Sequence, residues 1–125
     1  MRHLKWFLIA SALTVGCGPA APTLAGGKQV NHWVEASHDA DPKKREEAVE
    51  KLGNVGSADP AAYPALTSAL KDPNAKVRGA AILGIVRAGP AAKGAVPILQ
   101  DLKDHDPDPG VRDYAAKALK KIAGG

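Results

Sequence analysis

The sequence predicts an all-α protein, a short α-solenoid of about two and a half to three stacked helical hairpins. Three observations lead there. Segments recur at a spacing of 33 or 34 residues, and recurrence at such a period marks a repeat architecture. Each recurring segment joins an Asp-Pro turn to an apolar pattern of helical period. Alanine is abundant, while the aromatic residues are Trp6, Phe7, Trp33, Tyr63 and Tyr114. A core with so few large rings is built by close helix approach on small side chains, and Ala has the best intrinsic helix propensity.

The chain opens with MRHLKWFLIASALTVGC, residues 1–17. Arg2 and Lys5 precede an apolar stretch from Trp6 to Val15, and small residues follow. This is the layout of a secretory signal peptide. The stretch is about half the roughly 20 residues that a membrane-spanning helix requires. Cys17, the only cysteine, stands where the apolar run ends, too solitary for a disulfide within the chain. The run LTVGC resembles the lipobox of bacterial lipoproteins: Val15 and Gly16 fit it, and Thr14 stands where that family prefers Leu. The resemblance implies a signal peptide over 1–16, cleavage before Cys17, and a thioether from Cys17 to diacylglycerol. It also implies a product anchored by lipid to the bacterial cell envelope. Gly18, in place of the Asp that retains such proteins at the inner membrane, points to the outer membrane in a Gram-negative organism. The other reading is ordinary secretion, with a cut at the small-x-small site Thr23-Leu24-Ala25 and a periplasmic or secreted product. Residues 17–27, the cysteine followed by the uncharged run GPAAPTLAGG, read as an anchor and flexible tether. The folded unit is then expected over 28–125.

The repeat is visible on superposition. A shift of 33 places Arg78 over Arg45, Ala81 over Ala48, Ile85 over Leu52 and Gly89 over Gly56. It also places Pro97 over Pro64 and Leu99 over Leu66. A shift of 34 carries Asp72-Pro73 onto Asp106-Pro107, Val77-Arg78 onto Val111-Arg112, and Ala81 onto Ala115.

Each unit parses into two helices. The turn Asp72-Pro73-Asn74 presets a backbone angle at Pro and offers a capping side chain. Val77, Ala81, Ile85 and Ala88 follow at helical spacing, and Ala80, Ile82 and Val86 add a second apolar face. Gly89-Pro90 ends this first-type helix. A second-type helix follows with Pro97 in its first turn, where a missing N–H costs little, and with Val96, Leu99 and Leu102 directed inward. Upstream, Val30, Trp33 and Val34 read as the inner face of a leading second-type helix. Downstream, Val111 to Ile122 is a first-type helix with charged outer positions Asp113, Lys117, Lys120 and Lys121, as a terminal solenoid helix requires. Six helices are expected, near 28–38, 43–53, 60–71, 75–88, 93–103 and 110–123.

The pattern Asp-Pro, Val-Arg, Ala and Leu at a period near 33 resembles the HEAT and HEAT-like repeats, including the short bacterial type named after phycobilisome lyases. The resemblance covers about Lys28 to Ala123. It implies a right-handed solenoid and a ladder between turns built from Asp72, Arg78, Asp106 and Arg112. The first unit departs from the pattern: Lys44 replaces the Val before Arg45, which leaves open whether Arg45 joins the ladder or the core.

Charge and motifs narrow the function classes. The formal net charge is +4 over the whole chain. Without Arg2 and Lys5 there are 17 − 2 = 15 basic against 13 acidic residues. Signs alternate rather than forming the basic stripe of a nucleic-acid binder, so no nucleic acid is expected. KDHDPDPG, residues 103–110, alternates Asp104, Asp106 and Asp108. Yet Pro109 and Ala115 stand where a calcium loop needs Gly and Glu, so the segment reads as a capped turn. His32 and His38 lack a one-face ligand spacing. No metal and no cofactor are expected. Ser37, Ser57 and Ser68 lack a nucleophile frame, and no catalytic residue is assigned.

The expected function is a membrane-anchored protein-interaction or scaffold module, not an enzyme, acting through a concave face of second-type helices. Asn31, Thr67, Ser68 and Gln100 are the candidate contact residues for an unidentified protein partner. The alternative is an accessory or catalytic, lyase-like subunit that holds a small ligand between helices. A third is a stable spacer without a specific partner.

Overall fold

The structure, a computed structural model, describes residues 24–124. A two-stranded ribbon, β1 (Leu24–Ala25) and β2 (Lys28–Gln29), leads into six α-helices. These are α1 (Val30–Ala36), α2 (Pro42–Val55), α3 (Ala62–Ala69), α4 (Ala75–Arg87), α5 (Val96–His105) and α6 (Pro109–Gly124). A 3-10 helix, Gly89–Ala95, precedes α5. All six expected helices are present, and they form a small all-α solenoid. The first-type helices α2, α4 and α6 pack side by side in one layer, each with a second-type helix against it.

The starts of α2, α4 and α6 share one device. Asp41 caps α2 by accepting from the Lys43 N–H, Asn74 caps α4 through the Lys76 and Val77 N–H groups, and Asp108 accepts from the Val111 N–H of α6. Each cap satisfies donors that a helix N-terminus leaves without intrahelical partners. The matched glycines Gly56 and Gly89 close α2 and α4 with φ of 59° and 67°, a left-handed geometry that Gly adopts without steric cost.

Burial follows the expected faces. Leu52, Ile82, Ile85, Leu66, Leu70 and Leu99 are the largest fully buried side chains. Val77 and Val111 enter the core at the start of their helices, whereas Lys44 stays on the surface. Small residues set the helix spacing. A Cβ placed on Gly84 would lie 2.8 Å from Leu66 Cδ2 and 2.9 Å from Gly53 Cα. Gly53, in the last turn of α2, is buried at the crossing of α2 with α4.

Two stretches differ from expectation. Ordered backbone is present upstream of Lys28, back to Leu24 among the described residues, because Gly26-Gly27 is a two-residue hairpin turn. Its φ values of 57° and 80° are the pair such a turn demands. Leu24 pairs with Gln29 and Ala25 with Lys28, and the Trp33 Nε1–H donates to the Ala25 carbonyl at 2.6 Å. Trp33 is buried beneath this ribbon, with Lys28 Nζ 5.2 Å from its ring centre. The second difference is at α5, which starts at Val96 rather than near residue 93, after the 3-10 turns. In a 3-10 helix residues three apart eclipse, and Ala92 and Ala95 bury themselves together in that way. Cys17 and the remainder of the expected tether lie outside the described residues.

Helices of 7 to 16 residues are marginal in isolation, so stability resides in the interfaces between them. Ile85→Asp, at a fully buried position, is expected to cost at least about 4 kcal/mol. Ile122→Asp, at the half-buried end of α6, is expected to cost about 1–2 kcal/mol; paired urea melts measure the difference, and equal losses would refute the stacking order. Gly84→Ala provides a test of sign. In an open helix the change stabilises by about 1 kcal/mol, but against Gly53 and Leu66 it is expected to destabilise by about 1–3 kcal/mol in thermal denaturation.

Candidate functional site

The most organised polar array in the described residues is the set of inter-helix turns. Each turn begins with an Asp whose Oδ1 accepts the N–H two residues on: Asp39 from Asp41, Asp72 from Asn74 and Asp106 from Asp108, at 2.8–2.9 Å. That bond folds the turn locally. The Arg one turn into each helix, six residues after that Asp, reaches back to the same turn. Arg45 Nη1 donates to the Asp39 and Ala40 carbonyls, Arg78 Nη1 to those of Asp72 and Pro73, and Arg112 Nη1 to that of Asp106.

The same guanidinium then grips the next turn. Arg45 donates from Nε and Nη2 to both oxygens of Asp72 at 2.8 and 3.1 Å. Arg78 does so to Asp106 at 2.8 Å twice. These are forked, two-point pairs, the geometry in which Arg differs most from Lys. Arg78 and Asp106 are only 8% and 6% exposed, so little solvent competes. Arg45 therefore joins the ladder in full despite Lys44. Arg112 closes only on a backbone carbonyl, since its helix is the last one and no further turn follows it within the described residues.

Electrostatics follow the geometry. Burial alone would push the Asp106 carboxyl up. The hydrogen bonds from Arg78 and the Asp108 N–H, with the charges of Arg78 and Arg112, outweigh it and hold the carboxyl below its ordinary value. The Arg45 guanidinium is held above its usual value, first by its hydrogen bond with Asp72. All of this is architecture. Both oxygens of Asp72 and of Asp106 accept from the arginine of the preceding unit, and Arg45 and Arg78 are each bonded to two successive turns.

The carboxylates of residues 103–110 are dispersed among separate tasks. Asp104 accepts from Gln100 Nε2, Asp106 serves Arg78 and Asp108 caps α6, while His105 pairs with Asp101. Among the described residues no three or more His, Cys, Asp or Glu side chains gather as a metal site, and no helix is long and apolar enough to cross a membrane.

The candidate contact residues lie on α1, α3 and α5. Asn31, Ser68 and Gln100 are exposed and Thr67 is half-buried. Thr67 Oγ1 donates back to the Tyr63 carbonyl, and Gln100 is engaged with Asp104. None of the four lines any of three hollows on the described surface. One hollow sits over the ladder between α3 and α5, and two follow the seam of α4 and α6. The signal that pointed toward the seam was in the sequence: Leu83 and Tyr114 break the charged pattern on outer helix faces, and they are 45% and 44% exposed.

Asp106→Asn removes the charge from the buried pair and leaves Arg78 uncompensated. A loss of about 3–5 kcal/mol is expected in urea melts. The folded-state carboxyl lies below its unfolded value of about 3.9, so its contribution is complete above that pH and disappears as pH falls through the folded value. Stability against pH below about 4 should therefore decline less steeply in Asp106→Asn than in the parent.

Residues 30–122 match a family model for HEAT repeats. No curated protein matches the chain. Six helices in two layers, turns repeated at 33 and 34 residues, and a match over most of its length place this chain in the HEAT repeat family.

Proposed function

We propose that the chain is a lipid-anchored envelope protein whose HEAT domain, of the short bacterial type, is a protein-interaction module. HEAT repeats generally mediate protein–protein contact, and the ladder commits the internal charges to the scaffold. The outer surface of the solenoid is what remains available to a partner. In this reading the signal peptide is removed before Cys17, diacylglycerol is attached to its sulfur, and the domain faces away from the cytoplasm. Gly18 favours the outer membrane where there is one.

The observation that carries processing at Cys17 over a cut after Ala25 is the place of Ala25 in the fold. Ala25 is 6% exposed, its carbonyl accepts from Trp33, and it pairs with Lys28. A cut after Ala25 would strip β1 from the domain and leave the indole N–H of Trp33 without its acceptor, a cost of about 1–3 kcal/mol. A cut before Cys17 leaves the ribbon whole. Two or more acyl chains hold a protein durably on a bilayer, each buried methylene contributing about 0.8 kcal/mol.

Metabolic labelling with a radioactive fatty acid tests this. The parent chain is expected to carry label and to fractionate with membranes, and Cys17→Ser to lose both. Label retained by Cys17→Ser, or a mature chain whose N-terminus follows Ala25, would overturn the anchor. Affinity isolation from detergent-solubilised membranes, with the Cys17→Ser chain alongside, tests the module: a recurrent protein partner supports it, and a co-purifying small molecule with no partner opposes it.

A further inference from the structure

The seam between α4 and α6 carries unsatisfied surface that the scaffold does not use. At its N-terminal end a hollow of about 380 Å³ is floored by Gly79, Ala80 and Val111 and walled by Leu83 and Tyr114. The Tyr114 ring lies against Gly79, whose added Cβ would meet the ring at 3.6 Å, so α4 holds the ring as a wall. Farther along the same seam, Val86 and Ile122 form the base of a second hollow of about 390 Å³. From Lys76 to Val86 the seam runs about 15 Å at the rise of an α-helix.

Charge divides the seam into two ends. Glu46 and Glu50, one turn apart on α2, stand with Asp108 at the first hollow. Lys76 is also there, so the acidic groups hold the majority. Lys93 and Lys121 flank the second hollow. Among the described residues Glu46, Glu50, Lys93 and Lys121 take part in no ion pair, whereas Asp113 and Lys117 on the outside of α6 pair with each other at 2.7 Å. Two unpaired glutamates and two unpaired lysines thus stand at opposite ends of an apolar seam.

We infer that the α4–α6 seam docks an amphipathic helix of a partner protein. This rests on the reading of the domain as an interaction module, and it moves the contact surface from the second-type to the first-type helices. The occupant has an apolar stripe that enters between Leu83 and Tyr114, Lys or Arg at the end over Glu46 and Glu50, and Asp or Glu at the end over Lys93 and Lys121. A helix fits because the seam is a straight trough between two rods, and helix-in-groove recognition places apolar anchors every three or four residues. Strand addition has little to build on here, since the described backbone along the seam is already bonded within α4 and α6. A second copy fits less well, since it would set one trough against another.

The test uses the full chain in detergent and a phage-displayed library of random 16-residue peptides. Selected peptides should combine helical apolar spacing with basic residues at one end and acidic residues at the other. Leu83→Asp, at an exposed position, is expected to keep the helical circular dichroism of the parent and to weaken their binding at least about tenfold. Glu46→Lys with Glu50→Lys should select peptides that are acidic at both ends. If binders are insensitive to these changes but are lost with Ser68→Arg or Gln100→Arg, the seam is refuted and the module reading stands. If the folded chain retains no peptide, both fall. A dimer in sedimentation that dissociates on Leu83→Asp would assign the seam to a second copy and refute the partner helix.

Discussion

The forked Arg–Asp pair between successive turns is the constraint on which the solenoid depends. One Asp carboxylate does two things at once: it accepts an N–H of its own turn, which shapes that turn, and it accepts the guanidinium of the preceding unit. The Arg in turn ties its own loop to the next. Shape within a unit and register between units are thereby set by the same few atoms. A buried pair of this kind does little for net stability compared with an apolar replacement, but it penalises every misaligned stacking by stranding a charge. For short helices with interchangeable Ala-rich faces, that penalty supplies the specificity that packing alone does not.

Close approach and separation then alternate across the two layers. Gly53 and Gly84 bring α2 and α4 almost backbone to backbone. On the opposite layer, α3 and α5 make little direct contact, and the 3-10 turns of Gly89–Ala95 fill the space before α5. The seam between α4 and α6 has no equivalent glycine crossing. Gly79 meets a Tyr ring instead of a backbone, and the helices leave a trough there. Where glycine meets glycine the layer is sealed, and where it meets an aromatic ring the layer opens.

Much of this was legible in the sequence because repeats report the same physics several times over. Val77 and Val111, the capping Asp and Asn residues, and the glycines that end α2 and α4 are each read in more than one unit. The parts that escaped occur once. Gly26-Gly27 sits in a Gly-, Pro- and Ala-rich run whose composition reads as tether, and only its two flanking dipeptides betray a hairpin. Gly53 does stand in the last turn of α2, but its second role, the close crossing with Gly84, involves a partner 31 residues away and leaves no local trace. Lys44 suggested a defective first rung, yet the ladder needs only the Arg side chain and the turn, and the preceding residue is free to face water. The candidate residues Asn31, Thr67, Ser68 and Gln100 are polar positions of the second-type helices, and whether a position lines a hollow depends on neighbouring helices that a single segment does not reveal.

In the lipid-anchored reading proposed above, the ribbon pinned by Trp33 also limits how far the domain can stand from a bilayer. Six residues lie between Cys17 and Leu24, the first residue of β1, against ten between Cys17 and Lys28. The seven Cα–Cα steps from Cys17 to Leu24 reach at most about 25 Å when fully extended. In that reading an acylated Cys17 would keep the ribbon within about 25 Å of the acylated sulfur, and a partner would be met close to the lipid.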